Sequence, residues 1–172
     1  MTDPAQLAAA PEPDPELEIR EAELPSPELS RMLYTGVGSD WSWTDRRGWT
    51  WDRWREWLAR PELETWVAYV RGTPAGFAEL EDQGDSVELV SFGLLPAFIG
   101  RGLGPRVLDA ALRRAWAIGP RRVWVHTCSL DGPAALRTYQ RRGLEIYDER
   151  THTQDVPDEP LEPWPGAARP RP

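Results

Sequence analysis

Between residues 103 and 117 apolar side chains recur at helical spacing. Leu108, Ala111, Leu112, Ala115 and Trp116 stand at i, i+3, i+4, i+7 and i+8, and Arg106, Asp109, Arg113 and Arg114 fall on the other side. This predicts an amphipathic helix closed by Gly119-Pro120. Upstream the period changes. Residues 64–71 and 75–81 alternate as two strands around the turn residues Gly72-Thr73-Pro74, and residues 87–95 form a longer, more apolar strand. A short strand is expected at 17–20. Ser26-Pro27 starts a helix that ends near Gly36 and Gly38, and Thr50 caps a second one carrying Trp51, Trp54 and Trp57. Downstream come a strand at 123–127, a helix at 131–141 with Asp131 as cap and Gly143 as terminator, and further strand from 144–147. Hairpin-linked strands followed by a strand–helix–strand crossover imply an α/β fold with a mixed sheet and helices on its faces.

The ends differ from this centre. Residues 1–15 are rich in Ala, Pro and acid, and residues 156–172 carry six prolines and few apolar side chains. Neither is expected to bury enough surface to offset its ordering entropy. The chain therefore reads as one folded domain over residues 16–155 between two disordered tails.

Charge narrows the partners. Twenty basic residues against 28 acidic ones leave a net charge of −8, which disfavours nucleic acid and anionic membrane. Every basic residue is arginine, so lysine Schiff-base chemistry and a lysine-bearing phosphate loop are both excluded. A single cysteine, Cys128, cannot form an internal disulfide. No apolar run approaches the ~18 residues of a membrane span, and the first ten residues lack the pattern of a signal peptide. A cytoplasmic location is expected.

The candidate chemistry lies where the long strand meets the long helix. Gly100, Gly102 and Gly104 cluster at that junction, and Arg101 adds a cation. The first amides of a helix lack intrahelical acceptors, and with the helix dipole they form an anion site. The spacing misses the dinucleotide-binding fingerprint, because Pro105 follows Gly104 and the turn comes after the fourth predicted strand instead of the first.

The stretch Leu94-Leu95-Pro96-Ala97-Phe98-Ile99-Gly100-Arg101-Gly102-Leu103-Gly104 resembles the pyrophosphate motif of the GNAT acetyltransferase superfamily, Gln/Arg-x-x-Gly-x-Gly/Ala. Tyr139-Gln140-Arg141-Arg142-Gly143-Leu144 is similar to a second motif of that family, with Leu for its Phe. The resemblance implies a central sheet of six to seven strands, antiparallel in its first half and then splayed at a parallel pair, with about four helices. It also implies acetyl-CoA as acyl donor, no metal, and direct attack by a small-molecule amine. A homodimer is left open, and so are a peptide acceptor and a non-catalytic acyl-CoA-binding module. Three positions depart from the pattern: Ile99 replaces a polar residue, Pro105 has no N–H to donate, and Asp131 or Gly132 stands where the family has Asn.

By the same resemblance, Leu94, Leu95, Ile99, Gly100, Arg101, Gly102, Leu103, Gly104 and Tyr139 border the cofactor, and an amide of Leu94 or Leu95 polarises the thioester carbonyl. Arg106, Arg141 and Arg142 are further candidates for its phosphates. Glu88 takes the place of the general base and Tyr139 that of the general acid, with Glu79 a weaker substitute for the base. Trp41 and Trp43, in the loop after the first helix, would border the acceptor, where aromatic faces can hold an ammonium. The helical Trp51, Trp54 and Trp57 read as packing. His126 and Cys128 alternate on one strand end, so His126 is assigned to the acceptor cleft. Together with His152 they match no zinc pattern.

Overall fold

The computed structural model describes residues 1–151, 153, 155 and 161–167. Five strands form one sheet in chain order: β1 (Leu17–Glu21), β2 (Leu63–Val70), β3 (Thr73–Asp82), β4 (Ser86–Leu94) and β5 (Arg122–Val125). The first four pair antiparallel, and β5 runs parallel to β4. Among the described residues the expected six to seven strands are thus five. Residues 144–147 form no strand, although Leu144 is buried in the core.

Four helices cover the sheet: α1 (Pro27–Gly38), α2 (Trp51–Leu58), α3 (Gly104–Ile118) and α4 (Ala135–Arg141). The caps are local chemistry. Ser26 Oγ accepts from Leu29 N, and Thr50 Oγ1 accepts from Arg53 N, which satisfies otherwise orphaned amides. Gly119 ends α3 in the left-handed conformation.

The apolar pattern sets the layers. Val107, Leu108, Ala111, Leu112 and Ala115 of α3 are buried. Leu108, Ala111, Leu112 and Ala115 pack with Ala78, Leu80, Val87, Leu89 and Val123 on the back of the sheet, and each fully buried Leu or Val contributes about 1.5–3 kcal/mol. On the front, Leu33, Tyr34 and Val37 of α1 and Trp54 of α2 pack with Val67 and Phe77. No helix among the described residues is long and apolar enough to cross a membrane.

The N-terminal segment departs from its expected looseness. Met1 is buried and exchanges two backbone hydrogen bonds with Val123, on the edge of β5 that no strand covers among the described residues. Ala8 N donates to Arg142 O, and the buried Arg142 guanidinium returns bonds to Ala8 O and Ala9 O while holding Asp109 at 2.8 Å. Composition missed this because the anchors are main-chain groups and a few side chains. Most of the expected Pro-rich tail lies outside the described residues, as does His152; within it, Glu162 O accepts from Arg47 at 2.6 Å.

Candidate active site

The parallel pair is short, and that shapes the site. Residues 86–89 of β4 pair with 122–125 of β5, whereas β4 continues against β3 as far as Leu94. The register slips between Glu79 and Leu80, so that Glu79 faces Ser91 and Leu80 faces Leu89. The extra residue, Val90, makes a bulge, and bulges bend a strand out of its ladder. Beyond it a wedge opens between β4 and β5. Leu95 N donates to Ala75 O on β3. Amides alternate in direction along an antiparallel strand, so those of Leu94 and Phe92 turn to the wedge. Of the two amides expected to polarise a carbonyl, Leu95 N is committed to Ala75 O.

The wedge leads to the glycine turn. Gly100 and Gly102 have φ of 81° and 75°, a region that costs other residues about 1–2 kcal/mol. A side chain added at Gly100 would meet nothing within 4 Å, so the surface there is open, whereas one at Gly102 would lie 3.3 Å from the Arg106 guanidinium. Among the described residues, the amides of 100–104 donate to no backbone acceptor, and no side chain caps the start of α3. These are the unpaired donors an anion needs. Leu103 is buried against Val70 and Ala75, so it offers the site only its backbone. Ile99 is exposed, and the Arg101 guanidinium lies 5.4 Å from the Phe98 ring. Arg106 is engaged with Gly102 O and Glu12 O, and Arg142 is buried on Asp109 and the N-terminal segment. Arg141 is exposed.

Register assigns the remaining candidates to faces. Glu79, Glu81, Glu88 and Ser91 share the front face with Phe77, because Glu79 pairs with Ser91 and Glu81 with Glu88. Glu88 is half-buried and bonded to Gln83 at 2.8 Å. Desolvation raises its pKa, with the Glu81 charge adding to the effect, against lowering by the Gln83 bond, His126 and Arg46. Tyr139 lies on the back, buried, with its ring 6.1 Å from Phe92. Burial first, and the Asp131 charge second, push its hydroxyl far above the usual tyrosine range, so it stays protonated. The two catalytic candidates therefore lie on opposite faces of the sheet.

The aromatic loop divides. Trp43 packs inward, 5.2 Å from Tyr34 and 6.2 Å from Phe77, instead of lining an open wall. Trp41 reaches across to the loop before α4, where a Cβ on Gly132 would lie 3.3 Å from its ring. Trp54 is core, Trp57 stacks between Arg46 and Arg60, and Trp51 is exposed, donating to Glu28. His126 and Cys128 are exposed, and no metal-holding cluster occurs among the described residues. Asp131 does not cap α4, which begins four residues later. It instead accepts from Thr127 Oγ1 and Cys128 N, folding the loop after β5.

Sequence reasoning overlooked two front-face features. Arg46 forms a buried pair with Glu79 at 2.5 Å, inside a cage of Tyr34, Trp49 and Trp57. Gln83 reaches Glu88 from the hairpin turn. A cation among tryptophans was the only sequence signal for the first, and a polar turn residue between Glu81 and Glu88 for the second.

The wedge, the uncapped helix start and the two motifs coincide with a family match. Residues 22–144 match the model of the Acetyltransferase (GNAT) family. The chain belongs to the GNAT acetyltransferases. No curated protein matches the sequence. Among solved structures, an aminoglycoside acetyltransferase from an uncultured soil metagenomic sample, in complex with trehalose, is similar with a TM-score of 0.67 at 12% identity, covering 84% of this chain and 99% of that one. The aminoglycoside N-acetyltransferase AAC(6')-Iy in complex with CoA gives 0.61 at 21% identity, with 81% and 94% covered. At such identities the likeness shows the GNAT fold alone.

Proposed function

We propose that this GNAT protein transfers the acetyl group of acetyl-CoA to a primary amine of a small molecule. The observation that carries the reading is the wedge itself. It supports the reading because β4 leaves β5 after Leu89, one residue past the half-buried Glu88, and runs on toward the open turn at Gly100.

The residues present fit an acyl-CoA. The amides of 100–104 and Arg101 suit a diphosphate, and the turned-out amides of β4 suit an extended amide-bearing arm. When bound, the thioester supplies an electrophilic carbonyl carbon. Glu88 accepts a proton from the acceptor nitrogen, because only the neutral amine attacks. Leu94 N–H donates to the carbonyl oxygen as charge develops there. Tyr139 O–H supplies the proton that the departing sulfur needs. Arg46 neutralises Glu79 and Arg60 neutralises Glu81, so Glu88 keeps the net negative charge of this row. That favours a cationic amine, the class to which the aminoglycosides named for the similar structures belong.

Thiol release from acetyl-CoA is measured across a panel of amines that includes an aminoglycoside. Glu88→Gln is expected to lower kcat about 10²-fold or more with CoA affinity, from titration calorimetry, nearly unchanged. Tyr139→Phe should lower kcat at saturating acetyl-CoA. CoA binding with no thiol release on any amine would make the protein a binding module instead.

A further inference from the structure

Gln83 sits in the turn between β3 and β4, where an exposed side chain is ordinarily solvated. Here both ends of its amide are committed. Nε2 donates to Glu88 Oε2 at 2.8 Å and, more weakly, to Glu81 Oε2 at 3.4 Å. Oε1 accepts from Ser86 Oγ at 3.2 Å and from Trp124 Nε1 at 3.3 Å. The partners fix which way the amide faces. An indole N–H can only donate and an ionised carboxylate can only accept, so the flipped amide would oppose both. The turn is itself braced by Gln83 N to Ser86 O and by Gly84 N to Asp82 Oδ1, each at 2.8 Å. The frame therefore spans β3, β4 and β5 at the closed end of the wedge.

It also answers an electrostatic problem. Glu81 and Glu88 are directly opposite in register, and like charges so placed repel. The two hydrogens of Nε2 sit between them, and Arg60 takes the other oxygen of Glu81 at 2.5 Å. Among the described residues, Glu88 has one oxygen held by Gln83 and Oε1 without a hydrogen-bond partner. We infer that Gln83 is the positioning residue of the acceptor base: it fixes the Glu88 carboxylate in one rotamer and reserves Oε1 for the amine. The inference rests on the reading of Glu88 as base. The titratable and charged groups facing Glu88 are Glu81 from β3, His126 from beyond β5 and Arg46 from the loop before α2.

The test replaces Gln83 with the near-isosteric methionine, Gln83→Met, and separately removes the orienting indole N–H, with part of the ring, in Trp124→Phe. Titration of the ¹³C-labelled Glu88 carboxyl in the full chain reads the contact without any acceptor. Losing a donor that favours the ionised form should raise the Glu88 midpoint by about 0.5–1 pH unit in Gln83→Met, and by less in Trp124→Phe. In thiol release with acetyl-CoA and an aminoglycoside, the acid limb of kcat/KM should move by the same amount, with KM for acetyl-CoA unchanged. A Glu88 midpoint that stays at the wild-type value in Gln83→Met overturns the inference, as does a shift in midpoint that leaves the acid limb where it was. Failure of the base reading looks different: Glu88→Gln would keep full thiol release while the Glu88 titration still responded to Gln83.

Discussion

Replacing Gly143 with alanine probes how firmly the N-terminal segment is built into the domain. Gly143 follows α4 at φ 97°, and a Cβ there would overlap the carbonyl oxygen of Gln6 and lie 2.9 Å from its carbonyl carbon. Two costs add. The left-handed conformation costs a non-glycine residue about 1–2 kcal/mol. The overlap is with backbone, so the segment must move away. That loosens the Ala8–Arg142 bond, the packing of Leu7 on the core and the two Arg142 bonds to Ala8 O and Ala9 O, for about another 1–3 kcal/mol. Gly119 is an internal control: it closes α3 at φ 102°, and a Cβ there would meet nothing within 4 Å, so Gly119→Ala carries the conformational cost alone. In urea unfolding, Gly143→Ala should lose about 2–5 kcal/mol and Gly119→Ala about 1–2 kcal/mol. The corresponding fall in Tm is about 2–4 °C per kcal/mol for a chain of this size. Equal losses in the two variants would refute a built-in N-terminal segment.

Arg46→Met should cost about 3–5 kcal/mol in denaturant unfolding, because it leaves the Glu79 carboxylate buried without its cation; adding Glu79→Gln should restore part of the loss, and a single-variant loss below about 1 kcal/mol would contradict the pairing. Gly100→Asp places a carboxylate on the open turn and should raise KM for acetyl-CoA at least about tenfold, with a change in Tm of only a few degrees. The Arg114 hydrogen bonds, the largest influence on Glu64, hold its folded pKa below the unfolded value. The stability they contribute is therefore complete above the ordinary glutamate range and lost as pH falls through the lowered folded value. Arg114 is 39% exposed, so solvent screening limits the effect to about 1 kcal/mol, and Arg114→Met should flatten that part of the unfolding profile. Because desolvation raises Glu88, kcat/KM should fall on acidification at a midpoint above the usual carboxylate range; an acid limb at or below that range would argue against Glu88 as base.

The β4–turn–α3 junction was legible in the sequence because it is local. Glycine spacing, the apolar stripe of α3 and the caps at Ser26 and Thr50 act within a few residues, and no distant partner alters them. The order of the elements followed from the same short-range patterns, and Glu88 and Tyr139 were singled out by motif position. Other features depended on residues far apart in sequence. Met1 on Val123 spans 122 positions, Arg46 to Glu79 spans 33 and Trp124 to Gln83 spans 41. Composition marked residues 1–15 as loose, yet backbone bonds to β5 and to Arg142 hold part of them, and amino-acid type does not encode such bonds. Asp131 carries the chemistry of a helix cap, but its Oδ2 accepts from Thr127 Oγ1 and Cys128 N instead. Trp43 had the makings of a binding surface and became packing once α1 and Phe77 closed on it. The sequence alone determined where donors for an anion must lie, since a helix start after glycines exposes its amides wherever it is placed. Only the tertiary structure decided which carboxylate stays unneutralised beside that wedge, because charge and burial depend on neighbours that folding brings across the sheet.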